Sequence, residues 1–343
     1  MRTRNMPLGI LAAVASIALP TNAQVVPNFL VFLAFGQSNM EGQGKPFPAS
    51  SLVENPRFKV MSPYTCSGTG VKRTKEQWAP AITSIVRCNT NFSLLDDFGR
   101  TLADSLPSSV TIGVVPVAVA GTAITGFSQS AASGYYAAQE SWMQSIAALY
   151  GNNPYASLVS TAKAAQKTGV IKGILLHQGE TDAYSSTWRD SVKAIYGRLL
   201  SDLGLKAADV PLLAGEVAPT GVCKGANPTI DALPRAIPTA YVIPSTDLTI
   251  DNRDKQNVHF DAASYSTLGK RYAQQMLKLL PKTPSAIQAR SVAFPGLSEF
   301  VVYDIKGARV GRFHAADISS QDNLVATLRK VLPDGVYWIR SAF

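Results

Sequence analysis

Phe29-Leu-Val-Phe-Leu-Ala-Phe35, closed by Gly36-Gln37-Ser38-Asn39-Met40, is an unbroken apolar run ending in a glycine turn. A strand with one wet face alternates apolar and polar residues, whereas a strand covered on both faces does not. The run is therefore predicted to be a strand buried on both sides. Val110–Val117 and Ile171–Leu176 read the same way, and Val210–Ala214 and Ala240–Ile243 read as shorter strands. Between and after them, Leu94–Leu106, Tyr155–Thr168, Ser191–Leu203 and Tyr265–Leu280 carry apolar residues at helical spacing. Gly169 and Pro281 stop two of these helices. Strands alternating with helices predict an α/β fold of three layers, α/β/α, around a parallel sheet. Ligands of such sheets sit beyond the carboxyl ends of the strands, and Ser38 stands at one of those ends.

The pattern changes after Pro281. A linker over 282–291 leads into short strand-like runs with turns, Phe300–Asp304, Arg309–Phe313 and Gly335–Ile339. Residues 292–343 are thus predicted to form a small all-β module. At the other end, Arg2 and Arg4 precede an apolar run, Pro7–Leu19, and the small residues Thr21-Asn22-Ala23. This is the pattern of a secretory signal peptide over residues 1–23. The run is too short to span a bilayer, which takes roughly 20 apolar residues. The large domain is then 24–281, and a secreted or cell-surface location is expected.

The formal charge of +9 is spread along the chain without a dense basic run. That argues against a nucleic-acid partner. Export permits disulfides. Of the three cysteines, Cys66 and Cys88 flank a polar stretch and are the expected pair, leaving Cys223 free. No C-x-x-C pair suggests a thiolate metal site, and no metal or cofactor is expected.

A serine at a strand-to-loop turn beside a glycine can expose its hydroxyl and aim its own N–H into a cleft, as a nucleophile of acyl transfer must. Such a serine also needs an imidazole to take and return its proton. The chain holds three histidines, His177, His259 and His314. His314 falls in the small module, so His177 and His259 are the candidates in the large domain. His259 lies in the polar loop Asp251–Phe260 before the last helix, and His177 follows a strand.

Four segments in order, F-G-Q-S-N-M-E-G at Phe35–Gly42, V-A-G-T-A-I at Val119–Ile124, L-H-Q-G-E-T-D-A at Leu176–Ala183 and N-V-H-F-D at Asn257–Asp261, carry a resemblance. The chain resembles SGNH hydrolases, in the branch of carbohydrate esterase family 6 and the sialate O-acetylesterases. The resemblance implies a flavodoxin-like α/β/α sheet and a secreted serine acetylesterase. It implies Ser38 as nucleophile, His259 as base and Glu180 as the acid that orients His259. The N–H groups of Ser38 and Gly121 and the Gln178 side chain would form the oxyanion hole, while His177 would brace its loop. Many SGNH enzymes place an aspartate three residues before the histidine. That position is Gln256 here, and Asp254, two residues earlier, stands as a secondary acid. Two further departures are Ala120 in place of a glycine and Leu176 in place of a tryptophan at a wall of the substrate pocket.

The expected partner is an acetylated carbohydrate, with acetylxylan first and O-acetylated sialic acid as the alternative. Rival readings are a non-catalytic carbohydrate-binding protein on an esterase scaffold and a lipase-like enzyme for long acyl chains. The C-terminal stretches Val302–Val310 and Gly335–Arg340 resemble bacterial secretion sorting tails, which implies a secretion-machinery partner for the module.

Overall fold

The computed structural model describes residues 26, 28–66, 71–280, 299–304, 309–314 and 337–341. The strand pattern read from the sequence is present, with additions. Strands β1 (Phe29–Gly36), β2 (Phe58–Met61), β3 (Trp78–Pro80), β4 (Thr111–Ala118), β5 (Val170–His177), β6 (Leu212–Gly215) and β7 (Ala240–Ile243) form one sheet in the order β3-β2-β4-β1-β5-β6-β7. Every pairing is parallel except that of β3 on the β2 edge.

The helices are α1 (Ser38–Glu41), α2 (Leu94–Ser105), α3 (Ala132–Ala137), α4 (Ser141–Ala148), α5 (Pro154–Ala165), α6 (Trp188–Leu203), α7 (Asn227–Asp231), α8 (Leu233–Ala236) and α9 (Ala262–Leu279). Residues of β1 divide between two cores. Val31, Leu33 and Phe35 pack with buried residues of α5 and α6, while Phe32 and Ala34 pack with those of α2 and α9. This two-sided burial is why the run carries no polar alternation.

β1 lies between β4 and β5, and the chain leaves it toward opposite sheet edges on its two sides. That is the switch point at which α/β sheets open a crevice. The register Gly36↔Ala118 and Gly36↔His177 brings three strand ends level there. Gly36 is required for this, because a Cβ on it would lie 2.0 Å from the carbonyl oxygen of His177.

Two helix starts bear on the crevice. Ser93 and Asp96 form a capping box at the head of α2. Asp261, two residues after His259, caps α9 by accepting the Ser264 N–H at 2.7 Å. Such a cap is worth about 1 kcal/mol, and here it also fixes the chain direction just past the histidine.

Cys66 and Cys88 are bonded, with Cα atoms 6.0 Å apart, and Cys223 is free. Among the described residues no helix is long and apolar enough to cross a membrane. The predicted leader over 1–23 and the linker over 282–291 lie outside the described residues.

The chain divides into two compact units, Met1–Pro284 and Ser285–Phe343. In the second, β8 (Glu299–Asp304), β9 (Arg309–His314) and β10 (Tyr337–Ser341) make an antiparallel sheet in the order β10-β8-β9. A unit with its own core folds by itself. A chain ending at Pro284 is therefore expected to keep the circular dichroism spectrum of an α/β domain and a cooperative thermal transition. Loss of soluble protein on that truncation would show that the small module completes the larger core.

Candidate active site

Ser38 opens α1 directly beyond β1 and is 6% exposed. The turn before it is held by Gln37. The Gln37 N–H donates to the His177 carbonyl at 3.1 Å, and its carbonyl accepts the N–H groups of Met40 and Glu41. Its side-chain oxygen accepts from Gln178 Nε2 at 3.0 Å and from the Thr181 N–H at 3.3 Å. The Ser38 turn is thus tied to the loop after β5.

Asn39, buried beside Ser38, ties the same turn to the histidine loop. Its Nδ2 donates to the Val258 carbonyl at 3.0 Å, and its Oδ1 accepts the Phe260 N–H at 3.4 Å. Both residues adjoin His259, so the neighbour of the serine grips the histidine from both sides. Asn39 Nδ2 also donates to Glu180 Oε1 at 2.6 Å, and Asn39 Oδ1 accepts from the Tyr265 hydroxyl at 2.5 Å.

His259 Nδ1 lies 3.2 Å from Asp254 Oδ2, with His259 18% exposed at its side chain. The same Oδ2 accepts the N–H groups of Val258 and His259 at 2.8 and 2.7 Å, and Oδ1 accepts that of Gln256 at 3.1 Å. Burial pushes the Asp254 carboxyl up. Those three N–H donors and the nearby His259 outweigh it, so the group sits below its ordinary value. This corrects the expectation for Glu180. The chain turns at Asp254–Asn257, closed by an Asn257 N–H to Asp254 carbonyl bond of 3.0 Å, with Asn257 at φ 55°. The turn folds Asp254 under the histidine although it is five residues back, while Gln256 is exposed.

Glu180 instead pairs with Asn39 and stands 3.6 Å from Nε2 of the buried His177. Burial opposes its charge, but His177 and the Asn39 donor hold the carboxyl below its ordinary value. Its place is beneath the serine turn rather than on the histidine.

The loop after β4 supplies the remaining backbone. The Val119 N–H donates to the Gly36 carbonyl at 3.1 Å. Thr181 Oγ1 donates to the Gly121 carbonyl at 2.9 Å, and the Ile124 N–H donates to Asp182 Oδ2 at 2.8 Å. Gly121 has φ 71°, a left-handed conformation that favours glycine. The expected role of Gln178 is also corrected. Its Nε2 is taken by Gln37 Oε1, the Thr122 carbonyl at 3.2 Å and Asp182 Oδ2 at 2.5 Å, and its Oε1 accepts the Trp188 indole N–H. With two protons and three protein acceptors, its amide is a strut between loops and has no donor to spare. Leu176 is buried in β5.

Glu41 was not singled out from the sequence. It is buried beside Arg87, whose Nε donates at 2.6 Å. Burial raises its carboxyl above the ordinary value, partly offset by Arg87, the Ala120 N–H and the charge of His259. It therefore sits among the serine turn, the Gly121 loop and the histidine. Asn39, Asp182 and Glu41 owe their importance to contacts across the chain. Their only trace in the sequence is their place inside the quoted segments.

Residues 28–278 match the family described as carbohydrate esterase, sialic acid-specific acetylesterase. The chain belongs to that family. This makes it an esterase, acting as an acetylesterase on carbohydrates. The esterase is similar in fold to a protein of Arabidopsis thaliana, at 19% identity over 74% of this chain and 99% of that one, with a TM-score of 0.56. It is similar to NanS at 18% identity over 74% and 98%, with a TM-score of 0.56. A carbohydrate acetylesterase from Xanthomonas citri matches at 19% identity over 71% of this chain and 54% of that one, with a TM-score of 0.50.

The geometry separates the two acids of the esterase. Asp254→Asn should lower kcat on a small acetyl ester by about 10²–10⁴-fold. Glu180→Gln should cost under about tenfold, since Gln can still accept from Asn39. A larger loss in Glu180→Gln than in Asp254→Asn would return the orienting role to Glu180.

Proposed function

We propose that the esterase removes O-acetyl groups from polysaccharide through an acyl-serine intermediate, with acetylxylan as substrate class. The observation that carries the mechanism is the Asp254–His259 couple, 3.2 Å apart, set beside the Ser38 turn by Asn39. Ser38 Oγ attacks the acetyl carbonyl carbon while His259 takes its proton. Asp254 stabilises the imidazolium that forms. The carbonyl oxygen, now an anion, is received by the N–H groups of Ser38 and Gly121, and each such donor is worth roughly 10²–10³ in rate. The tetrahedral intermediate expels the sugar oxygen, which takes the proton from His259. Water then attacks the acetyl-serine, giving its proton to His259, and acetate leaves as Ser38 is reprotonated.

The acetylxylan reading draws support from the resemblance of the quoted segments to carbohydrate esterase family 6 and from the signs of export. The Cys66–Cys88 bond fits an oxidising compartment. With it goes our reading of residues 1–23 as a leader and of 292–343 as a sorting module that meets the secretion machinery. The second substrate reading, O-acetylated sialic acid, is favoured by the wording of the family description.

Acetate release from acetylxylan and from O-acetylated sialic acid, measured in parallel, tests the reading. Acetylxylan should be hydrolysed with the higher kcat/KM, and Ser38→Ala should remove several orders of magnitude from both rates with the fold intact. A preference for the sialic acid ester would select the second reading. Near-normal turnover by Ser38→Ala would end the acyl-serine mechanism.

A further inference from the structure

Helix α4 carries Trp142, which is 51% exposed. Ser141, Gln144 and Ser145 of the same helix are exposed as well, so the indole stands on a face open to solvent. Its position is specific. A Cβ built on Gly121 would lie 2.8 Å from Trp142 Cη2 and 3.6 Å from Cζ2, and 3.0 Å from Met143 Cε. The six-membered ring of the indole therefore rests against the backbone of Gly121, the residue whose N–H faces the reacting carbonyl in the mechanism above. The next residue, Met143, is buried and anchors the helix from below. The Gly121 carbonyl is pinned by Thr181 Oγ1 at 2.9 Å, a bond that does not involve the indole ring.

A pyranose ring has one face lined by C–H groups, which packs flat on an indole while its hydroxyls stay in water. An ester borne on a ring carbon sits only two bonds from that face. From these distances we propose that Trp142 is a sugar-stacking platform beside Gly121, binding the pyranose ring that carries the acetyl group. The inference rests on the carbohydrate acetylesterase reading and adds the specificity element to it. It assigns the ring, rather than the acetyl methyl, to Trp142, because the acetyl group must lie on the serine side of Gly121.

The test compares Trp142→Ala and Trp142→Phe with the unsubstituted protein on three acetyl donors: ethyl acetate, acetylated xylo-oligosaccharides and 4-O-acetyl sialic acid, whose ester is on a ring carbon. Ethyl acetate carries the reacting group without a ring. Trp142→Ala should keep kcat/KM on ethyl acetate within about threefold. It should lose about tenfold or more on a sugar ester, through KM rather than kcat; tenfold corresponds to about 1.4 kcal/mol. Phe should restore most of the loss. The sugar arm that suffers names the source of the ring.

Binding is read independently of turnover in the Ser38→Ala protein. Its four tryptophans give separate indole N–H resonances, and acetylated xylo-oligosaccharide or sialic acid should shift the one that vanishes in Trp142→Phe. Equal losses on ethyl acetate and on the sugars would make Trp142 a structural residue and overturn the proposal. So would no loss on either sugar, or an unmoved Trp142 resonance. If the unsubstituted protein releases no acetate from any donor, the acetylesterase reading falls, and the resonance titration still decides whether Trp142 binds a sugar.

Discussion

The side chain of Asn39 is the joint on which the catalytic arrangement depends. It is an amide with two donors and two acceptor sites, and all its bonds run to other parts of the chain: Val258 and Phe260 around the histidine, Glu180 after β5, and Tyr265 on α9. A buried amide is stable only when its polar atoms are paired. The requirement works in reverse as well: pairing them forces segments lying 141 to 226 residues beyond Asn39 into one register with it. Ser38 follows because it is the adjacent residue, and His259 follows because both of its neighbours are held.

Around that joint the acidic groups share out the work by environment. Asp254 is cradled by backbone N–H donors and remains a charge next to the imidazole. Glu180 is a charge beneath the serine turn. Glu41 is held beside Arg87 with its carboxyl raised by burial. Gln178 and Asp182 are struts between the loops after β4 and β5, and Gln37 joins the first of those struts to the serine. The site is a set of loops cross-linked by buried amides and carboxylates, standing on strand ends that β1 aligns.

Much of this was legible in the amino-acid order. The long apolar strands announce themselves because both faces are buried, and Ser38 and His259 stand out through a glycine turn and a scarcity of histidines. The short elements were not legible. β2 spans Phe58–Met61 with a lysine inside it, and β3 spans Trp78–Pro80 with a proline at its end. Neither is long enough to show a period. The acid was misassigned for a different reason. A spacing rule of three residues assumes one loop shape, and the left-handed Asn257 makes another, in which five residues give the same reach. The misreading of Gln178 came from its partners. Trp188 and Asp182 use up its amide, and nothing in the order of residues says that they will meet it.

The loop from Asp254 to His259 has an implication for how the protein can change over time. Acid, imidazole and the backbone donors that fix their geometry all belong to one six-residue cassette. Its contour length is therefore the quantity under constraint. Lys255 and Gln256 face water and can drift freely in identity. A single insertion or deletion between Asp254 and His259 would instead part the carboxylate from the ring and from both N–H groups at once. Related sequences with a different histidine loop would have to recruit their acid from another position, so descent in this region should proceed by wholesale exchange of the loop rather than by gradual lengthening.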